Sequence, residues 1–310
     1  MQAQGAMLHI ECVACCKYKY LLLFISNRAL MILMKIHNSM NDKRIAVIMS
    51  LYKNDVVDYV KLAVESILNQ TYKDFDYYIQ YDGPVDAEVD AYLSEIKDER
   101  VRIQRRAENK GLAQSLNDLL NIVMPMGYEF IARMDADDIS EVNRFEKQLE
   151  YFKSHPELDC LGTWAIEITS SGDEYFKKQM PESNERCLEL FRKRDCMIHP
   201  TVMFRKSYIE KAGFYSLDTY FGEDTMMWAQ GFAAGCKFAN VPEYLFRFRL
   251  DDNFFKRRRG WKHAKGIFTL RHRVNKMLHF GLSADLWALA YAGAKMMPIC
   301  ILNLIYKNAR

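Results

Sequence analysis

The chain has no uninterrupted apolar run of the ~20 residues needed to cross a bilayer. Tyr20 to Met34 comes nearest, with Leu21-Leu22-Leu23-Phe24-Ile25 and Ala29-Leu30-Met31-Ile32-Leu33-Met34, but Ser26-Asn27-Arg28 breaks it. No small-x-small cleavage site follows, and Lys35, Lys43 and Arg44 do, which argues against a cleaved leader. Residues 1–40 therefore read as an N-terminal extension, either upstream of a true start at Met40 or a weak membrane anchor. The eight cysteines follow no regular spacing, so in a chain this large free thiols are expected. Cys12-x-x-Cys15 has no second pair at zinc-ribbon distance. Neither sign of charge dominates: 43 basic against 40 acidic residues leave +3, which argues against a general nucleic-acid binder. Glycine is missing from Ser50-Leu51-Tyr52-Lys53-Asn54-Asp55, where a glycine-rich phosphate loop would sit. Repeats and low-complexity linkers are absent too. Acidic residues are absent from Lys256 to Lys276, which holds nine Lys or Arg. A patch this basic points to an anionic surface as partner.

What is present is a regular alternation. Arg44 to Ser50 is a short apolar run rich in branched residues, as in a strand covered on both faces. Tyr59 to Leu68 has helical spacing, with Val60, Val64, Ile67 and Leu68 on one side. Phe75 to Tyr81 is the next strand, closed by Asp82-Gly83-Pro84. A helix over Ala87 to Ile96, a strand over Val101 to Arg105, a helix over Leu112 to Met124 and a strand over Glu129 to Met134 follow. Beyond residue 145 the spacing gives a helix at Phe145 to Phe152 and strands at Cys160 to Ile168, Thr201 to Phe204 and Tyr244 to Arg249. A helix opens at Gly222. Strands alternating with helices predict an α/β fold with a mostly parallel central sheet and helices on both faces. The division expected is 41–250 for this domain and 251–310 for a basic, apolar helical C-terminal extension.

In open α/β sheets, ligands bind beyond the carboxyl ends of the strands. Ser50 to Tyr52, Asp82 and Asp135 to Asp138 all fall there. Asp135-x-Asp137-Asp138 puts three carboxylates within four residues. They repel one another unless a cation binds, and hard oxygen ligands select Mg²⁺ or Mn²⁺. The alternative is a solvated acidic turn, with Asp138 or Ser140 capping the next helix. Asp82 can accept from a ribose hydroxyl or a base N–H, or serve only as turn chemistry. Asn109-Lys110-Gly111 precedes a helix whose start could face phosphate, or is an ordinary strand-to-helix turn. Glu223-Asp224 is either a capping pair or carries a general base. His199 is left open, and Trp164 and Trp228 read as core or pocket wall.

Taken in order, Ile45 to Tyr52, Ser66 to Tyr72, Tyr81-Asp82-Gly83, Asn109 to Leu112, Asp135-Ala136-Asp137-Asp138, His199 to Val202 and Glu223-Asp224 resemble the family 2 glycosyltransferases over about Ile45 to Arg249. The resemblance implies a GT-A fold, an inverting mechanism and a UDP-sugar donor. It implies that Ser50 and Asp82 contact uridine, with Tyr52, Asn109 and Gly111 also at the donor. Asp135 would lie near ribose and phosphate, with Asp135 and Asp137 on Mn²⁺ or Mg²⁺. Asp224 would be the base, with Glu223 beside it. Tyr81 stands where many members have a second acidic residue, and Gly83-Pro84 replaces a small polar residue. Among such enzymes the chain resembles those building O-antigen or capsule repeats on a polyprenyl-diphosphate lipid, at the cytoplasmic face of the bacterial inner membrane. The sharpest expectation is β-glucosyl transfer from UDP-glucose to GlcNAc-diphosphoundecaprenol. A nucleotidyltransferase and a non-catalytic nucleotide-sugar-binding module are the competing readings.

Basic residues beside Leu286 to Tyr291 and Pro298 to Lys307 suit peripheral attachment to a membrane, or a helical pair packed on the catalytic domain.

Overall fold

The computed structural model describes residues 45–219, 221–250 and 259–298. The N-terminal extension, Cys12-x-x-Cys15, the basic residues 256–258 and the apolar run 299–307 lie outside the described residues.

The first half is an unbroken alternation: β1 (Ile45–Leu51), α1 (Val57–Leu68), β2 (Phe75–Tyr81), α2 (Ala87–Glu95), β3 (Val101–Arg105), α3 (Leu112–Val123) and β4 (Phe130–Met134). These four strands lie side by side in the order β3-β2-β1-β4, all parallel. The apolar strands have the sequence of a sheet covered on both faces, and it is so covered. Ile45, Val47, Met49 and Leu51 of β1 pack with Val60, Val64 and Ile67 of α1 on one face. Ala46 and Ile48 pack with Leu116, Leu119, Leu120 and Val123 of α3 on the other. The helix faces read from sequence are the buried ones.

The second half is more mixed than the periodicity foretold. It runs β5 (Ile139–Ser140), α4 (Arg144–Ser154), β6 (Cys160–Ile168), β7 (Glu174–Lys178), α5 (Asn184–Phe191), a 3₁₀ turn (His199–Thr201), β8 (Met203–Arg205), α6 (Lys206–Ala212), α7 (Glu223–Ala233) and β9 (Phe238–Arg249). The sheet continues β4-β8-β6-β9-β5, with β7 on β6. β8 is antiparallel to β4 and β6, whereas β6 and β9 are parallel, so most register pairs in the whole sheet are parallel. β5 and β7 escaped the sequence reading because β5 is only two residues long and β7 is an exposed edge with little apolar signal. β9 is longer than Tyr244 to Arg249 because its first part, Phe238 to Val241, is buried without alternating. The helix after the acidic turn starts from Asn143 with no side-chain cap, so neither Asp138 nor Ser140 caps it.

After the undescribed 251–258, α8 (Trp261–Met277) and α9 (Leu282–Ala294) form an antiparallel-type helical pair joined by a four-residue turn. Leu270, Val274, Phe280 and Ala284 share one buried cluster with Met226, Met227 and Trp228 of α7. Among the described residues no helix is long and apolar enough to cross a membrane. Cys160, Cys187, Cys196 and Cys236 are free and buried.

Candidate active site

Register fixes the rim. Leu51 pairs with Tyr81, and Met49 with Met134, so β1, β2 and β4 end almost level. Tyr52, Asp82 and Asp135 each come one residue past those ends. Asp82 and Asp135 therefore flank β1, two strand spacings apart.

Asp82 is buried and its carboxylate is heavily used. It accepts from the N–H groups of Lys110 (2.7 Å) and Gly111 (2.9 Å) and from the Arg106 guanidinium. Gly111, the N-cap of α3, has no side chain of its own to cap with, and Asp82, in the turn after β2, fixes the backbone at and just before it. Asn109 Nδ2 donates to the Asp82 carbonyl at 3.2 Å. Gly83 makes this approach possible. Its φ is +82°, and a Cβ there would lie 2.8 Å from the Asn109 nitrogen. Arg106 also donates to Asp118 (2.6 Å) and Ser115 (2.9 Å), which fixes its guanidinium at the rim. Sequence reading missed Arg106, although it follows β3 as Asp82 follows β2. Ser50 is half-buried opposite Gln80, and Tyr52 is exposed, its N–H donating to Asp55 Oδ2 at 2.8 Å.

The acidic turn is held between two parts of the sheet. β4 leads into it, and β5 leads out to pair with β9. Arg249, at the end of β9, donates its backbone N–H to Asp138 Oδ1 (2.7 Å) and its Nε to the Asp137 carbonyl (2.8 Å). Its other nitrogen holds the Thr169 and Ser170 carbonyls at 3.1 Å. Arg133, buried in β4, is ion-paired with Asp135. Ligand oxygens of Asp135, Asp137 and Asp138 lie within 4.8 Å of one another. Asp138 Oδ2 is buried with no hydrogen-bond partner among the described residues. Burial, then the neighbouring Asp135, pushes Asp137 up to about 6. Asp138 is driven well above the usual carboxylate range by burial, then by Asp137 and Asp135. Asp55, in the loop after β1, is raised to about 7, mainly by burial, with Asp137 and Asp135 adding to it. Three carboxylates therefore compete for charge in one place, with a buried oxygen lacking a donor. Hard oxygens so arranged fit Mg²⁺ or Mn²⁺.

Glu223 and Asp224 form the first turn of α7, as expected, after Gly222 in the left-handed region. The Thr225 N–H donates to Asp224 Oδ1 at 2.7 Å. Burial holds the Tyr215 hydroxyl above the ordinary phenol range, Arg133 opposes that, and Asp224 and Glu223 add to it. The same hydroxyl lies 2.8 Å from His199 Nε2. Burial, then Arg133, keeps His199 well below its usual range and hence neutral. Arg144 donates to the Pro200 carbonyl (3.0 Å) and the Arg133 carbonyl (3.3 Å), tying that 3₁₀ turn to β4. Asp82 sits at the other end of the rim, and no hydrogen bond or ion pair joins it to Asp135 or Asp137 among the described residues. Trp228 is core, and Trp164 donates to the Met180 carbonyl at 2.9 Å.

The model of the family described as Glycosyl transferase family 2 matches residues 46–213. The amylovoran biosynthesis glycosyltransferase AmsE of Erwinia amylovora is 30% identical over 267 residues, covering 86% of this chain and 98% of its own. An Escherichia coli protein named UDP-Gal:alpha-D-GlcNAc-diphosphoundecaprenol beta-1,3-galactosyltransferase is 30% identical over 228 residues, covering 71% of this chain and 79% of its own. Among solved structures, the mannosyltransferase PcManGT from Pyrobaculum calidifontis, in complex with GDP-Man and Mn²⁺, aligns with a TM-score of 0.56 at 14% identity, over 86% of this chain and 79% of its own. At that identity the likeness speaks for the fold, which is GT-A.

Proposed function

Because the chain belongs to glycosyl transferase family 2, we propose that it transfers one hexose, with inversion, from a UDP-sugar to a lipid-diphosphate-linked saccharide in bacterial surface-polysaccharide synthesis. UDP-glucose as donor and GlcNAc-diphosphoundecaprenol as acceptor are the sharpest form of the proposal. The name of the Escherichia coli relative, with its UDP-hexose and GlcNAc-diphosphoundecaprenol, supports the substrate classes. We assign the chemistry to 41–250 and attachment at the cytoplasmic membrane face to 251–310.

The observation that carries the reading is the cluster of Asp135, Asp137 and Asp138 just past β4, in a chain that also sets Glu223 and Asp224 in the first turn of α7. Asp82, Arg106, Ser50 and Tyr52 would line the nucleoside end, beyond β1 and β2. Asn109 and Gly111, whose backbone is drawn to Asp82, would complete it. Asp135 and Asp137 would hold Mn²⁺ or Mg²⁺, which when bound supplies positive charge to the diphosphate. Asp224 would take the proton from the acceptor hydroxyl as that oxygen attacks the anomeric carbon from the face opposite the diphosphate. The bond from the anomeric carbon to the diphosphate oxygen breaks, and UDP leaves with the electron pair. Glu223 would position the acceptor. The N–H groups of the first turn of α7 favour negative charge on Asp224.

Asp224→Asn tests this. The amide cannot accept the proton, so kcat should fall by about 10²–10⁴-fold, while UDP-sugar affinity stays unchanged. Retained turnover in that variant would remove Asp224 from the role.

A further inference from the structure

Apart from Ser283 and Asp285, α9 is apolar, yet only one side of it is buried. Ala284, Ala288 and Ala292 recur every fourth residue and face the protein. On the outer side Leu282 is 82% exposed, Leu286 69%, Leu289 58% and Trp287 49%. A surface helix ordinarily presents polar residues outward. Here small residues pack inward and the large apolar ones stand in the open. Trp261 at the start of α8 and Met296 just past α9 join the same end of the pair, because the Gly260 N–H donates to the Lys295 carbonyl at 3.0 Å. Large apolar side chains exposed together on one helix face mark an interaction surface.

Its border is cationic. Lys193 Nζ lies 5.6 Å from the Trp287 ring centre, and Lys295 Nζ lies 4.9 Å from that of Tyr291. Arg259, Lys262, Lys265 and Lys276 of the α8 segment are exposed, as is Arg273, which pairs with Asp218 at 2.8 Å. α8 holds no acidic residue, and the one acid of α9, Asp285, is engaged by Asn275 (2.8 Å) and His272 (3.1 Å). Leucines flanked by tryptophan, tyrosine and lysine match the layering of a bilayer interface. Acyl chains take the leucines, the carbonyl zone takes the aromatic rings, and anionic headgroups take the lysines.

We propose that the outer face of α9, from Leu282 to Met296, lies flat in the interface of an anionic bilayer, with Lys193 and Lys295 on the headgroups. The charge at its border selects a membrane over a second copy of this chain, whose matching border would carry the same sign. The proposal deepens the membrane role in the functional reading but does not depend on the acceptor, since vesicles without any acceptor test it.

Flotation with vesicles of phosphatidylcholine mixed with phosphatidylglycerol should recover the full chain, and pure phosphatidylcholine should recover roughly ten-fold less. The double variant Leu286→Asp, Leu289→Asp should lose at least about ten-fold of the vesicle binding, with UDP affinity and melting temperature unchanged. Lys193→Glu with Lys295→Glu should remove the preference for anionic vesicles. Equal flotation of wild type and the aspartate variant would overturn the proposal. So would a dimer in solution that the aspartate variant converts to monomer, which would assign the face to a second copy. A melting temperature lowered by the aspartate pair would show the face to be covered by the chain itself, overturning it as well. Failure of transfer alone would leave flotation unaffected, so the two readings fail separately.

Discussion

Arg271 and Thr225 meet on one oxygen: Asp195 Oδ1 accepts the Arg271 guanidinium at 2.9 Å and the Thr225 hydroxyl at 2.9 Å. Arg271 lies in α8, and Thr225 follows Asp224 directly. The other terminal nitrogen of Arg271 donates to the Phe191 carbonyl at 3.1 Å. The C-terminal extension is thus wired to the turn that carries the proposed base. Arg271→Ala leaves two acceptors short of a buried donor and should cost about 1–3 kcal/mol in urea unfolding. kcat should fall while UDP affinity holds, because the Asp82 end of the rim is untouched. A variant equally stable and active would show the link to be idle.

Gly222 adopts φ +80°, and a Cβ there would run into Leu270 of α8. Gly222→Ala should destabilise by about 1–2 kcal/mol from the left-handed backbone alone. Adding Leu270→Ala relieves the clash but not the backbone, so thermal unfolding of the double variant should not return to the wild-type midpoint.

The acidic turn gives a pH dependence of definite sign. Burial with Asp135 lifts Asp137 to about 6, and burial with Asp137 and Asp135 lifts Asp55 to about 7. Unfolded aspartates lose their protons near pH ~4, so between about pH 4 and 7 the metal-free folded state holds more protons than the unfolded one. Stability of the metal-free protein should fall as pH rises through that window. Divalent cation binding must displace those protons, so Mn²⁺ affinity should strengthen over the same range and release protons to buffer. Titration calorimetry in two buffers of different ionisation heat measures this. Flat affinity would exclude the cluster as the metal site, as would Asp137→Ala leaving metal-dependent UDP-sugar binding intact.

Asp82→Asn separates positioning from charge. An amide oxygen cannot serve Lys110, Gly111 and Arg106 as a carboxylate does, and the helix start and the guanidinium both lose their anchor. Unfolding should cost about 1–3 kcal/mol, with a rise in KM for the UDP-sugar. Arg106→Ala should raise KM with a smaller loss of stability, since Asp82 keeps its two backbone donors. A KM unchanged in both variants would remove this end of the rim from donor binding.

The first half of the fold was legible because β1, β2 and β4 are short runs buried on both faces, β3 alternates as an edge strand does, and each helix carries one apolar side. β5 and β7 were not, since two residues or an exposed edge leave no periodicity to read. The proposed site divides the same way. Asp82, Asp135, Asp137 and Asp224 stood out as carboxylates at strand ends or a helix start. Arg133 could have been flagged as a charge inside an apolar strand, and Arg106 by applying the strand-end rule to β3. Arg249 offered no local signal. Its importance comes from β9 returning beside β5, more than a hundred residues after the turn it holds.

Local residue pattern by itself determined the parallel α/β core, the rim where its carboxylates gather and the ordered motifs of the family, because strand burial and turn chemistry are written in neighbouring residues. Only the tertiary structure decided which charges neutralise which. It gave Asp82 to α3, Asp135 to Arg133 and Asp195 to both Arg271 and Thr225, and it turned the leucines of α9 outward. Those outcomes depend on contacts between segments far apart along the chain, where burial and distance, which no sequence spacing encodes, set the strength of every interaction.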